Sequence, residues 1–133
     1  MMNNSVPNEH DSAHSLRFLV VESSLGARIL IRLHLLEIKH SVDMVWDDES
    51  AIELAFMSAY DFILVDKNLN CHELIVNIQN NSVVNDHATM IILTSTYTEE
   101  NKSQGSAIYF KKPISKRCID ALQQLDFLKN LKK

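Results

Sequence analysis

The sequence feature that most constrains the fold is a regular alternation between short apolar runs and segments with helical periodicity, which starts at Leu16. The apolar runs cover residues 17–21, 42–46, 62–65, 90–93 and 107–110. Runs this short and this apolar are typical of strands that are covered on both faces. Five such strands alternating with helices predict an α/β domain with a doubly wound, mostly parallel sheet.

Helices are predicted between these runs, because apolar side chains recur there at intervals of three and four residues. Ser24 and Ser115 precede the first and the last of these segments and are suited to cap them. The run 42–46 is less apolar than the others, which favours a position near the edge of the sheet. We expect Trp46 and Phe56 to be core or half-buried packing residues and not a recognition surface.

Two stretches depart from the alternation. Residues 94–106 carry almost no apolar side chain besides Tyr97, so the helix before strand five is predicted to be shortened or missing. The first fifteen residues are polar and lack the apolar region of a secretory signal. We therefore expect a flexible tail over 1–15 and one domain over 16–133, consistent with the length of 133 residues.

Composition argues against several classes of function. Two glycines form neither a Gly-x-Gly-x-x-Gly turn nor a Gly-x-x-x-x-Gly-Lys loop for phosphate, and a net charge of -4 argues against a nucleic-acid partner. No apolar run is long enough to predict a membrane span. Cys71 and Cys118 lack a Cys-x-x-Cys spacing, which favours reduced thiols and a cytoplasmic protein. The six histidines lack the spacing of a zinc site, so we expect them in the tail or on the surface.

Polar side chains follow four of the five predicted strands. They are Glu22 and Ser23 after the first run, Asp66 after the third, Thr94 after the fourth and Lys112 after the fifth. Because the carboxyl ends of parallel strands share one edge of a sheet, we expect these side chains to converge. Carboxylates bind hard divalent cations, an ammonium neutralises phosphoryl oxygens, and a carboxylate can be the nucleophile that forms an acyl phosphate. The pattern therefore predicts phosphoryl transfer.

A hydrolase is a rival interpretation, since Ser23, Asp66 and a histidine could form a catalytic triad. It is disfavoured because the sequence has no Gly-x-Ser-x-Gly elbow and no histidine at the end of a predicted strand. It predicts turnover of an ester substrate that Ser23→Ala abolishes.

From Leu16 to the end, the chain resembles the receiver domain of two-component response regulators. The segments that carry the resemblance are FLVVES, YDFILVDKNL, IILTS and YFKKPIS, the last of which is especially similar to receivers of hybrid sensor kinases. The resemblance implies a flavodoxin-like strand order 2-1-3-4-5 and a signalling domain rather than an enzyme. It also implies a cis peptide bond between Lys112 and Pro113.

The resemblance implies a role for each matching residue. Asp66 is the phosphoacceptor, and its phosphoryl donor is a histidine kinase or a phosphotransfer protein. Thr94 supplies the hydroxyl that binds the phosphoryl group, Tyr109 is the aromatic that switches with it, and Lys112 is the phosphate-binding lysine. No nucleic acid or membrane is implied as a partner, and homodimerisation is expected to be weak at most.

The resemblance also implies a magnesium site, from which this sequence departs. Glu22, Asp66 and the backbone carbonyl of Asn68 match metal ligands, but Ser23 stands where the family has its main magnesium-binding aspartate. Losing that carboxylate predicts Mg²⁺ binding that is weakened or absent. An alternative follows, in which the chain is a degenerate pseudo-receiver that binds a protein partner independently of phosphorylation.

Overall fold

A single parallel sheet of five strands organises the computed structural model, which describes residues 15–37, 39–96 and 108–131. The strands are β1 (Arg17–Val21), β2 (Ser41–Val45), β3 (Phe62–Asp66), β4 (Thr89–Thr94) and β5 (Ile108–Lys111). Their order in the sheet is β2-β1-β3-β4-β5, and every neighbouring pair is parallel. The predicted doubly wound α/β fold and the edge position of the second strand are therefore confirmed.

Among the described residues, three helices connect successive strands and a fourth follows β5. They are α1 (Leu25–Glu37), α2 (Asp48–Met57), α3 (Cys71–Asn81) and α4 (Lys116–Leu131), and a short 3-10 helix (Val83–Asn85) follows α3. The described residues between β4 and β5 form no helix, as expected, although residues 97–107 lie outside the description. The predicted tail also lies outside it, apart from Ser15. None of the described helices is long and apolar enough to cross a membrane.

The core consists of two layers, because successive side chains of a strand point to opposite faces of the sheet. On one face Leu19 and Val21 of β1 pack with residues of α2 and α3. On the other face Phe18 and Val20 pack with residues of α1 and α4. β3 lies in the middle of the sheet, and all five of its residues are buried.

The ends of the helices follow local rules. The hydroxyl of Ser24 accepts a hydrogen bond from the backbone N–H of Ala27, and the hydroxyl of Ser115 accepts one from Cys118, so both predicted caps are present. Asp47 caps α2 by accepting from the backbone N–H of Ser50 at 2.7 Å. These bonds satisfy backbone donors that have no partner within the helix.

The connection from α1 to β2 contains one residue in an unfavourable backbone conformation. Lys39 has a φ of 63°, in the left-handed region that glycine prefers. The N–H of Lys39 donates a hydrogen bond to the carbonyl of Leu36, and the N–H of His40 donates one to the carbonyl of Leu35. This pair of bonds is the Schellman arrangement, in which the left-handed residue terminates the helix.

Two side chains lie in environments that differ from the predictions. Trp46 is 62% exposed, so the prediction of core or half-buried packing was wrong for it, whereas Phe56 is 50% exposed and half-buried, as predicted. Trp46 follows an edge strand, and α2 instead uses the small side chains of Ala51 and Ala55 against the sheet. His40 is buried, contrary to the prediction of surface histidines, and its Nδ1 accepts a hydrogen bond from the N–H of Leu16.

Candidate functional site

The polar residues predicted to converge do so at the carboxyl end of the sheet. Asp66 and Thr94 are the last residues of β3 and β4, and both are buried. Glu22 follows β1 and is fully buried, while Lys112 follows β5 with 18% of its side chain exposed. Adjacent parallel strands therefore bring side chains that are far apart in sequence to one site.

The ammonium of Lys112 lies between the two carboxylates. Its Nζ is 2.9 Å from Oδ1 of Asp66, to which it donates a hydrogen bond, and 2.7 Å from Oε1 of Glu22. The contact with Glu22 is a close ion pair. Both carboxylates raise the pKa of Lys112 by more than its burial lowers it, so the side chain stays charged.

Further donors hold the carboxylate of Asp66. The hydroxyl of Ser23 donates to Oδ2 at 2.8 Å, and the backbone N–H of Asn68 donates to Oδ1 at 3.1 Å. Burial by itself would raise the pKa of Asp66. The interaction with Glu22 and the hydrogen bonds from Lys112, Asn68 and Ser23 outweigh that effect and lower the pKa to about 2, so Asp66 is ionised at neutral pH.

For Glu22, the effects that raise the pKa outweigh those that lower it. Its Oε2 accepts a hydrogen bond from the backbone N–H of Ser24 at 3.0 Å. Burial nevertheless raises the pKa of Glu22, and the neighbouring Asp66 adds to the increase, while Lys112 and Ser24 counteract it. The two carboxyl groups are thus differentiated, with Asp66 the more acidic.

The two residues expected to switch lie close to this cluster in the fold but are engaged elsewhere. The Thr94 hydroxyl donates to the carbonyl of Thr96 at 2.6 Å and accepts from its N–H at 3.2 Å. Tyr109 is buried against the layer that contains α3, opposite Ile92 of β4. Burial raises the pKa of its phenol.

Sequence reasoning missed one residue that supports the site. Nη1 of Arg28 donates to the backbone carbonyls of Glu22 at 2.8 Å and Ser23 at 3.2 Å, and the guanidinium lies 5.4 Å from the ring centre of Trp46. It therefore fixes the backbone between β1 and α1. The sequence signal that could have indicated this role is an arginine in the first turns of the helix that directly follows the strand.

The donor set does not fit a tight magnesium site. Each of the four carboxylate oxygens already contacts a protein donor, namely Lys112, Ser23 or the backbone N–H of Ser24 or Asn68. Within residues 15–37, 39–96 and 108–131, no group of three His, Cys, Asp or Glu side chains is placed to hold a metal ion. The hydroxyl of Ser23 is a weaker ligand for a hard cation than a carboxylate.

Comparison with solved structures shows which fold this is. The chemotaxis protein CheY4 of Vibrio cholerae is 19% identical, with a TM-score of 0.74 over 84% of this chain and 98% of that one. The magnesium-bound receiver domain of sensor histidine kinase PA1611 from Pseudomonas aeruginosa is 21% identical, with a TM-score of 0.72 over 84% and 97%. The chain has the receiver-domain fold.

A third receiver-fold structure, a two-component response regulator from Clostridium difficile, is 19% identical, with a TM-score of 0.70 over 89% of this chain and 99% of that one. No protein-family model and no curated protein matches the sequence. The receiver fold confirms the predicted strand order, and the peptide bond between Lys112 and Pro113 is cis, as the resemblance implied.

Proposed function

We propose that this chain is a receiver of a two-component phosphorelay, which accepts a phosphoryl group on Asp66 and signals by protein contacts. The donor is the phosphohistidine of a histidine kinase or a phosphotransfer protein. One observation carries the proposal, namely that an ionised Asp66 at the carboxyl end of the central strand lies 2.9 Å from the ammonium of Lys112. A nucleophile and a cation for the phosphoryl oxygens are thus held side by side.

The transfer exchanges one bond to phosphorus for another. A carboxylate oxygen of Asp66 attacks, the bond from phosphorus to the histidine nitrogen breaks, and the imidazole leaves with the electron pair and takes a proton from solvent. Oδ2 is the suitable nucleophile, because its Ser23 partner is a hydroxyl that can rotate away, whereas Oδ1 is held by Lys112. The ammonium then neutralises charge on the transferred phosphoryl group.

Thr94 and Tyr109 transmit the change in this proposal. The Thr94 hydroxyl exchanges its bonds with Thr96 for one to the phosphoryl group, because a charged acceptor gives a stronger hydrogen bond than a backbone carbonyl. The space around Tyr109, on the neighbouring strand, changes with that movement. We expect the ring to adopt a second orientation in the phosphorylated protein.

Magnesium has a smaller role here than the receiver fold suggests. The family resemblance assigns the ion to Glu22, Asp66 and the carbonyl of Asn68, and Ser23 replaces a carboxylate ligand by a neutral hydroxyl. We expect weak binding, because Mg²⁺ depends on carboxylates and near-ideal octahedral geometry.

An apolar surface beside the site supports a protein as the donor. Four large apolar side chains of α1 share one face and are 47% to 62% exposed; they are Leu25, Ile29, Leu33 and Leu36. We call this face the α1 stripe. A cavity of about 350 Å³ lies between α1 and the segment that follows β5, and Lys112 is among its lining residues. Contiguous exposed apolar surface of this kind marks interaction sites in soluble proteins.

The decisive experiment is the intact mass of the protein after incubation with acetyl phosphate or a phosphorylated histidine donor. We expect one added phosphoryl group that Asp66→Asn abolishes. The control variant is Asp86→Asn, which removes a carboxylate whose side chain is 57% exposed and lies outside the site. Addition that persists in Asp66→Asn would contradict the assignment of the acceptor.

One observation favours the second candidate, a pseudo-receiver that binds its partner without phosphorylation. Lys112 already contacts the carboxylates of both Glu22 and Asp66, and Ser23 donates a hydrogen bond to Asp66. These contacts are typical of a cluster with a purely structural role. This alternative predicts no added mass from either donor. It also predicts equal partner binding by the wild type and Asp66→Asn.

A further inference from the structure

The cluster formed by Glu22, Asp66 and Lys112 contains its own cation, the ammonium of Lys112. Two carboxylates and one ammonium carry a net charge of -1, and the ammonium contacts an oxygen of each carboxylate within 2.9 Å. An ion that binds between acidic side chains would meet the same oxygens. It would also be repelled by the positive charge of Lys112, because like charges at close range in a partly buried site are poorly screened.

Glu22 is built into the protein in a way that suits an anchor for Lys112. Its side chain is fully buried, Oε2 is held by the backbone N–H of Ser24, and Oε1 lies 2.7 Å from Nζ of Lys112. Arg28 fixes the backbone carbonyl of the same residue. A buried carboxylate needs a charged partner, and Lys112 supplies it.

Ser23 reduces the need for a second cation. A carboxylate at this position would repel an incoming phosphoryl group, and a divalent ion would have to offset that repulsion. The hydroxyl of Ser23 carries no charge and donates to Asp66 at 2.8 Å. Ser23 in place of an acidic ligand and the bridging ammonium of Lys112 therefore both reduce the need for a divalent ion.

We propose that the ammonium of Lys112, held in place by Glu22, is the resident cation of this site, so that Asp66 accepts a phosphoryl group without a divalent metal. Glu22 is then a positioning residue for Lys112 and not a metal ligand. The part that concerns phosphoryl acceptance rests on the proposed function, whereas the identity of the cation does not.

The first arm of the test measures metal binding alone. Mg²⁺ is titrated by calorimetry into the wild type and into Ser23→Asp, which adds a carboxylate at the second position of the β1–α1 loop. We expect wild-type binding too weak to saturate in the titration, and affinity increased by about tenfold or more in the variant, the range in which a changed ligand shell alters metal affinity. Saturable wild-type binding as tight as that of Ser23→Asp would overturn the proposal.

The second arm measures acceptance from acetyl phosphate by the wild type, in EDTA and in Mg²⁺. The new bond joins Asp66 to phosphorus, and acetate leaves with the electron pair of the broken bond. We expect wild-type rates that agree within about twofold between the two conditions, since the cation that offsets phosphoryl charge is part of the protein. Acceptance that stops in EDTA would overturn the proposal and leave the proposed function intact. No acceptance in either condition would overturn the proposed function, and the calorimetry would still decide which cation the site holds.

The positioning role of Glu22 is tested by the side-chain ¹⁵N resonance of Lys112. We expect Glu22→Gln to shift this resonance and to speed proton exchange of the ammonium with solvent, whereas Glu22→Asp partly restores both. A general loss of stability would not give this recovery. An unchanged Lys112 resonance in folded Glu22→Gln would show that Glu22 does not hold the ammonium. The acetyl phosphate arm uses only the wild type, so the proposal stays testable if a substitution prevents folding.

Discussion

The hydroxyl of Tyr60 donates a 2.7 Å hydrogen bond to Oδ2 of Asp43, which ties the start of β3 to the edge strand β2. Burial and this bond raise the pKa of the Tyr60 phenol well above its ordinary value of 10.0. The unfolded chain therefore releases this proton at a lower pH than the folded protein does. The contribution of Tyr60 to stability is full below pH 10 and decreases as the pH rises above it.

Tyr60→Phe tests this linkage. At neutral pH we expect the free energy of unfolding to fall by about 1 kcal/mol, the net worth of one hydrogen bond. Above pH 10, the wild type should lose stability more steeply than the variant. Urea denaturation across this range, followed by circular dichroism, gives both quantities. Parallel pH profiles for the two proteins would contradict the raised pKa.

The left-handed residue after α1 offers a stabilising substitution. Lys39→Gly should raise the free energy of unfolding by about 1 kcal/mol, because glycine adopts a φ of 63° without the steric cost of a Cβ atom. Lys39→Ala is the matched control, since it removes the same charge and keeps the Cβ atom. Equal stability of the two variants in urea would show that the backbone conformation is not the cause.

Asn85 is a buried polar residue whose loss should be costly. Its Nδ2 donates to the carbonyl of Ala55 at 2.6 Å and to that of Ser58 at 2.9 Å, and its Oδ1 accepts from the N–H of Tyr60 at 2.7 Å. Asn85→Ala leaves buried backbone groups unsatisfied, and we expect a loss of about 2–4 kcal/mol in the free energy of unfolding.

The control for this experiment is Asn81→Ala. Asn81 is exposed, and its Nδ2 donates to the side chain of Asn77 on the surface of α3. We expect a change below about 0.5 kcal/mol. Equal losses in the two variants, measured by urea denaturation, would show that burial of Asn85 does not determine its contribution.

The α1 stripe is predicted to contact the phosphoryl donor. Leu33→Glu should slow transfer from a phosphohistidine protein by about tenfold, equivalent to about 1.4 kcal/mol of lost contact. Acceptance from acetyl phosphate should be unchanged, because Leu33 is 60% exposed and contributes little to the core. Val83→Glu, at a side chain that is 84% exposed after α3, is the control. Equal slowing by both variants would contradict a role of the α1 stripe.

Most of the fold could be predicted from local patterns. Residues 17–21 form a strand with the predicted bounds, and the other four strands are shifted or extended by one or two residues. The patterns suffice because each strand is covered on both faces and must be continuously apolar. Convergence of Glu22, Asp66 and Lys112 was also predictable, since parallel strands end at one edge.

The partners within the site were not predictable in the same way. Arg28 contacts backbone carbonyls, and Asn85 contacts the end of α2. These contacts depend on tertiary packing, so they produce no periodic pattern in the sequence. Helical spacing does not show which apolar face is covered. The exposed face of α1 contains four large apolar residues, whereas Ile31 and Leu35 face the core.

Trp46 provides the protein with an optical probe of its own. It is the only tryptophan of the chain, and its exposed ring lies 5.4 Å from the guanidinium of Arg28. The same guanidinium is bonded to the backbone of Glu22 and Ser23. A rearrangement of the loop between β1 and α1 would therefore move a positive charge relative to the indole and change its emission, so events at the site can be followed in unlabelled protein in real time.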